Sequence, residues 1–141
     1  MILFAYDGSP EADHAIAEAG ALLGGGQAAH IVYAWEPAAQ LSMVALAGVI
    51  PEPEPDEQAR ANDIAEAGAR RARRAGFDAD AEAVLNPDPA VALERAIERL
   101  KPSLVVLGTR GLHGLQRLLK GSVSQHVSSR AHVPVLVIPS R

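Results

Sequence analysis

Short apolar runs alternate with longer segments of helical periodicity along this chain of 141 residues. The first run, Ile2–Tyr6, ends in Asp7-Gly8-Ser9-Pro10, which predicts a strand, a turn and then a helix capped by Ser9. Further strands are predicted at 30–35, 79–85, 104–107 and 133–138. Helices are predicted at about 10–23, 56–75, 89–100 and 122–131.

This alternation of strands and helices predicts an α/β fold with a single open five-stranded parallel sheet and helices on both faces. The helical connections should be right-handed crossovers. If the strand order is 3-2-1-4-5, strands one and four are neighbours and their carboxyl ends share a crevice, where such sheets bind ligands. Residues 1–141 are expected to form one domain. Residues 38–55, which end in a Pro/Glu-rich stretch, are expected to be a variable loop. Long loops of this kind are often either functional or disordered, and both alternatives stay open.

Composition and charge exclude several classes of protein. The chain has no cysteine, which excludes a disulfide framework, a thiolate zinc site and a cysteine nucleophile. Its formal charge of −4 gives no basic field for nucleic acid, and no apolar run reaches the ~18–20 residues of a membrane span. The first residues lack the cationic region of a secretory signal. We therefore expect a cytoplasmic protein that binds neither nucleic acid nor a membrane.

One local concentration of charge departs from this acidic balance. Four arginines crowd the end of the predicted helix 56–75, at positions Arg70, Arg71, Arg73 and Arg74. Cations are favoured there because the C-terminal end of a helix carries the negative pole of its dipole. A patch that binds an anion or nucleic acid is the alternative interpretation.

Glycines and hydroxyl groups follow the fourth predicted strand, which ends in Leu107-Gly108-Thr109-Arg110-Gly111. Gly121-Ser122 then opens the last predicted helix, whose free N–H groups would attract an anion. Glycine lets the backbone approach a ligand closely, and Asp7 would face the same crevice from strand one. The pattern predicts a phosphate site. The simpler alternative is that the glycines only form turns and Ser122 only caps a helix.

The spacing Gly108-x2-Gly111-x9-Gly121-Ser122 resembles the ATP-binding signature of universal stress proteins. The opening residues 2–12 and the final residues 132–139 are also similar to that family's first and last strands. The likeness spans the whole chain except the loop 38–55. One departure is the turn Asn86-Pro87-Asp88-Pro89, where the family often has glycine before the acidic-Pro step; it puts the geometry of that turn in question.

The resemblance implies the sheet order 3-2-1-4-5, a homodimer, an unidentified protein partner and bound ATP with a divalent ion, Mg²⁺ or Mn²⁺. It implies that the chain around Ala5, Tyr6 and Asp7 lies by the ribose and adenine, with Asp7 near the ribose or holding the metal through water. It implies that Ala34 and Leu107 meet the adenine. The full set of implied nucleotide-binding residues is Ala5, Tyr6, Asp7, Ala34, Leu107, Gly108, Gly111, Gly121, Ser122, Val123 and Ser124.

Signatures of enzymes with related folds are missing from the sequence. The chain lacks a P-loop, the Ser-Gly-Gly-x-Asp-Ser loop, the His-Ile-Gly-His element and a Gly-x-Ser-x-Gly elbow. Its five histidines lack paired metal-ligand spacing, and only His113 lies within the candidate phosphate loop. No second acid accompanies Asp7. An alternative role for Asp7 is that of a helix-capping partner in the turn at Ser9.

The sequence therefore favours a stress-response or signalling module that holds ATP over an efficient enzyme. Slow ATP hydrolysis or autophosphorylation on Ser or Thr stays open. A third hypothesis is that the protein is a dimeric scaffold that binds no nucleotide. The apolar last strand, Val133–Ile138, would pair with a second copy if it lies at a sheet edge.

Overall fold

The computed structural model describes residues 1–38, 52–109 and 133–140. In chain order the elements of these residues are β1 (Ile2–Tyr6), α1 (Pro10–Leu23), β2 (Ala28–Trp35), α2 (Pro55–Arg74), β3 (Asp78–Leu85), α3 (Pro89–Leu100), β4 (Leu104–Gly108) and β5 (Val135–Ile138). The four strand pairs are parallel, and the sheet order is β3-β2-β1-β4-β5. This confirms the predicted fold. The predicted helix 122–131 lies outside the described residues.

Alternate residues of the central strands pack against helices on opposite faces of the sheet. Phe4 and Val106 belong to the core that the sheet forms with α1 and α2. Leu3 and Val105 belong to a second core, formed with α3. Because these strands are buried on both faces, they form continuous apolar runs rather than alternating ones, which is why they stand out in the sequence.

Local signals set the starts of the helices as predicted. The Ser9 hydroxyl accepts a hydrogen bond from the Ala12 N–H at 3.1 Å, and the Asp88 carboxylate accepts one from the Ala90 N–H at 2.9 Å. Each caps a helix whose first residue is proline. The turn before α3 forms without that glycine, and in it the Asn86 side chain accepts a hydrogen bond from the Asp88 N–H at 2.9 Å. α2 begins at Pro55, one residue inside the predicted loop 38–55.

The last strand is shorter than the predicted span 133–138. β5 begins at Val135, so the prediction that Pro134 lies within the strand is wrong. The Pro134 carbonyl still accepts a hydrogen bond from the Val105 N–H at 2.9 Å. Proline has no N–H to donate to a ladder, which is why the regular pairing starts only after it. β5 lies at the edge of the sheet that the described strands form, and its first residue, Val135, is 42% exposed.

Gly20→Ala is expected to destabilise the protein although alanine is the better helix former. α1 and α2 meet at this glycine, where an added Cβ would lie 2.6 Å from the Ala75 carbonyl oxygen. Helix propensity alone favours alanine by about 1 kcal/mol. The contact is with backbone, so the helices must separate, and we expect a net loss of about 1–3 kcal/mol in the free energy of unfolding. Urea denaturation measures it.

The control for this prediction is Ala17→Gly, on the exposed side of the same helix. It should cost about 1 kcal/mol through propensity alone. A Gly20→Ala variant as stable as the parent protein, or more stable, would show that the close approach of α1 and α2 does not limit this position.

Candidate functional site

Three of the predicted adenine-contacting residues lie on one face of the sheet, at the carboxyl ends of adjacent strands. Ala5 on β1 packs against the core that contains Val32 and Leu107. Ala34 lies two residues beyond Val32 on β2, and side chains two apart share a face. The two alanines are half-buried, whereas Leu107 is buried. The register thus brings Ala5, Ala34 and Leu107 together as a small apolar surface.

Asp7 lies at the end of β1 in a turn that holds its side chain. Its Oδ1 accepts a hydrogen bond from the Ser9 N–H at 2.9 Å. The next residue, Gly8, has a positive φ of 78°. A Cβ added to it would lie 3.3 Å from the Ile64 side chain on α2. Asp7 therefore does stabilise the turn at Ser9. This role does not exclude ligand binding, because Oδ2 has no hydrogen bond or ion pair with the described residues.

Gly108 ends β4 and packs closely on α1. A Cβ at this position would lie 3.3 Å from the Glu11 carbonyl oxygen and 3.6 Å from the Ala15 Cβ. The following residue, Thr109, accepts a hydrogen bond from the Ser140 N–H at 2.9 Å. Glycine is thus explained at 108 by packing against α1, whatever its role toward a ligand.

The two tyrosines at the strand ends share a face, and it is not the face of Ala5 and Ala34. Tyr6 and Tyr33 are partners in the register of β1 and β2. Tyr6 is buried in the core with α1 and α2, so only its backbone can face the apolar surface described above. Tyr33 was not predicted as a site residue. Burial raises the pKa of Tyr33, and the nearby Asp7 carboxylate raises it further.

Tyr6→Phe is expected to lower the free energy of unfolding near pH 8 by about 1 kcal/mol, because the phenol donates a 2.8 Å hydrogen bond to Asp13. Burial, reinforced by Asp13, raises the Tyr6 pKa from 10.0 to about 12, with Arg71 opposing it. The unfolded chain therefore loses this proton first, and native stability falls as pH rises from about 10 to about 12.

The phenylalanine variant lacks this contribution, so the stability difference between the two proteins should shrink across that pH range. Urea denaturation of both proteins at pH 8 to 12 tests the expectation. A difference that stays constant or grows with pH would show that Tyr6 is not held in its neutral form by the fold.

The second half of the predicted site lies outside the described residues. It comprises the candidate phosphate-loop positions Arg110, Gly111, His113, Gly121, Ser122, Val123 and Ser124. Their roles remain predictions from the sequence. Among the residues that are described, no group of three or more His, Asp or Glu side chains could hold a metal ion, and no helix is long and apolar enough to cross a membrane.

Comparison with known sequences decides the family. A sequence profile of the universal stress protein family matches residues 1–139. The chain belongs to this family. It is 33% identical to a universal stress protein of Thermus aquaticus over 140 residues, which cover 97% of this chain and 96% of that protein. A universal stress protein of Methanocaldococcus jannaschii is 46% identical over 50 residues, 36% of this chain but only 29% of that longer relative.

Solved structures of universal stress proteins share the fold of this family member. One, in complex with cAMP, aligns with a TM-score of 0.63 at 24% identity and covers 99% of this chain and 96% of its own. Another, from Archaeoglobus fulgidus in complex with dAMP, aligns with a TM-score of 0.62 at 17% identity, over 97% and 95% of the two chains. At these identities the likeness shows the fold.

Proposed function

We propose that this universal stress protein binds ATP at the carboxyl ends of β1, β2 and β4 and acts in the cytoplasm as a stress-response or signalling module. The proposal treats residues 1–141 as one domain of the family and assigns it no efficient catalysis. The observation that carries it is the apolar surface of Ala5, Ala34 and Leu107 beside Asp7. This surface lies at the carboxyl ends of the strands, where the strand order reverses between β1 and β4.

The adenine end follows from the size and polarity of these side chains. A purine is flat and mostly apolar, and it needs a surface without long side chains standing up from the sheet. Ala5 and Ala34 have only a Cβ and are half-buried, so a ring can lie over the strand ends next to Leu107. Relatives with this fold hold cAMP and dAMP, which have adenine in common, and this supports the same base here.

The phosphate end rests on the glycine-rich sequence. We propose that Gly108, Gly111 and Gly121 approach the phosphates through their backbones, and that Ser122, Val123 and Ser124 line the phosphates and ribose from the start of the last predicted helix. Helix N-termini bind phosphate through free N–H groups and a positive dipole end. The signature Gly-x2-Gly-x9-Gly-Ser favours a triphosphate over the monophosphates that relatives hold.

A divalent ion fits this site through Asp7. Mg²⁺ is commonly held by one or two carboxylates together with water and the phosphates of the nucleotide. The Asp7 oxygen that the turn leaves without a partner among the described residues can supply such a contact, directly or through water. When bound, Mg²⁺ or Mn²⁺ would neutralise phosphate charge. Asp7 would either hold the ion in this way or lie near the ribose.

A homodimer through β5 belongs to the same proposal. Among the described strands, β5 pairs only with β4, and Val135 is substantially exposed. An apolar edge strand of this kind can pair with the same strand of a second copy. Sedimentation at micromolar concentration should give twice the monomer mass, and a monomer alone would refute the dimer without affecting the nucleotide site.

Titration of the purified protein with labelled ATP and Mg²⁺ tests the binding proposal. We expect saturable uptake of one nucleotide per chain, and an adenine nucleotide released when freshly purified protein is denatured. No saturable uptake at millimolar ATP would overturn the proposal. ATP turnover well above roughly 1 per second would instead show an ordinary enzyme.

A further inference from the structure

A cleft of about 270 Å³ lies between α1 and α2, where these helices cover the sheet face opposite Ala5 and Ala34. Its lining residues are Asp13, Ile16, Ala17, Arg71, Arg74 and Ala75. The cleft thus combines an apolar floor with two guanidinium groups and one carboxylate, that of Asp13, which pairs with Arg71. Within the described part of the chain, no residue assigned to the nucleotide lines it.

The four arginines at the end of α2 differ in how they are partnered. Arg71 is held in place, since its Nε lies 2.5 Å from the Asp13 carboxylate, which also accepts the Tyr6 hydroxyl. Arg73 turns toward β3, where it donates to the Ala79 carbonyl at 2.8 Å and pairs with Glu66. Arg70 and Arg74 are exposed and have no ion pair or hydrogen bond within the described ranges.

The helix dipole explains why arginines are favoured at this end of α2, but it gives Arg70 and Arg74 no partner. They are four residues apart, so they lie on the same side of the helix. Arg74 lines the cleft beside Ile16, which is only 2% exposed, and Ala17. A guanidinium at the border of an apolar surface binds a carboxylate well, because it is weakly hydrated and offers a planar pair of donors.

We propose that this cleft docks an acidic segment of a partner protein, with a carboxylate on Arg74 and Arg70 and an aliphatic side chain on the floor of Ile16 and Ala17. Asp13 offsets the charge of Arg71, so Arg74, with Arg70 beside it, leaves the cleft positive, whereas the chain as a whole carries −4. That balance favours a short acidic peptide over nucleic acid, which needs an extended basic face. This inference goes beyond nucleotide binding and does not depend on it.

The probe for the test is a fluorescein-labelled peptide of alternating glutamate and leucine, followed by fluorescence anisotropy at low ionic strength. The double variant Arg70→Gln/Arg74→Gln should weaken its binding by about tenfold, as expected for the loss of a charge-assisted hydrogen bond. The matched control is Arg60→Gln, an exposed arginine on the same helix, about 15 Å from Arg70 and about 21 Å from Arg74 along the axis. Its affinity should stay within about twofold of the parent protein.

A second variant tests the cleft itself. Ala17→Glu places a carboxylate beside Arg74, and it should also weaken peptide binding while circular dichroism shows an intact fold. The proposal is overturned if the peptide does not bind, if Arg60→Gln weakens binding as much as the double variant, or if single-stranded DNA of equal charge binds more tightly at the same arginines. ATP affinity of the double variant should be unchanged, which separates this proposal from the nucleotide site.

Discussion

Replacing Ala34 with leucine is expected to weaken ATP binding by about 100-fold, or roughly 2.7 kcal/mol, near the upper end of the cost of overpacking a site. Ala34 lies on the same face of the sheet as Ala5 and Leu107, at the end of β2. A leucine there would stand in the space proposed for the adenine ring. Fluorescence titration with labelled ATP measures the loss.

The control for this change is Ala83→Leu on the neighbouring strand. Ala83 is also half-buried, but it pairs in register with Tyr33 and so lies on the opposite face of the sheet. It should bind ATP with the affinity of the parent protein. Equal losses of ATP affinity in both variants would indicate a general disturbance of the sheet. Unchanged ATP affinity in Ala34→Leu would show that the adenine does not lie over β2.

Gly121→Val is expected to abolish detectable ATP binding and leave the free energy of unfolding nearly unchanged. The sequence places Gly121 directly before Ser122, at the predicted start of a helix, where a side chain would block the approach of backbone N–H groups to phosphate. Equilibrium titration with ATP and Mg²⁺, combined with urea denaturation, separates the loss of binding from the loss of folding. Unchanged affinity would show that this loop does not hold the phosphates.

Gly108 is a poor position for the same experiment. A Cβ there would lie 3.3 Å from the Glu11 carbonyl oxygen, so a valine would press β4 away from α1. We expect Gly108→Val to lose stability as well as affinity. The contrast between the two glycines is itself informative, because a phosphate-loop glycine should affect binding alone.

Several features of the fold could be read from short stretches of sequence. Ser9 with Pro10, and Asp88 with Pro89, mark the starts of two helices, because a cap bonds to an N–H only two or three residues away. The continuous apolar run Ile2–Tyr6 indicates a strand buried on both faces. The start of β5 was less predictable, since the Pro134 carbonyl accepts a hydrogen bond although the regular strand begins only at Val135.

The candidate site was only partly predictable. Asp7 stood out because it follows a strand and precedes a capped helix. Tyr33, beside Asp7, carried no sequence signal, since it sits within an ordinary apolar strand and reaches Asp7 only through the pairing of β1 with β2. Nothing near Gly20 in the sequence shows why a helix has glycine there. The reason is its close contact with Ala75, more than fifty positions away.

The sequence by itself determined the alternation of strands and helices, the helix caps and, through its glycine spacing, the family resemblance, because each of these depends on residues close together in the chain. The tertiary structure decided which residues share a face. Ala5, Ala34 and Leu107 become one surface only when three separate strands pair in a given register, and the arginines of α2 border a cleft only because α1 packs beside them. Those contacts join distant segments, and their geometry comes from packing rather than local preference.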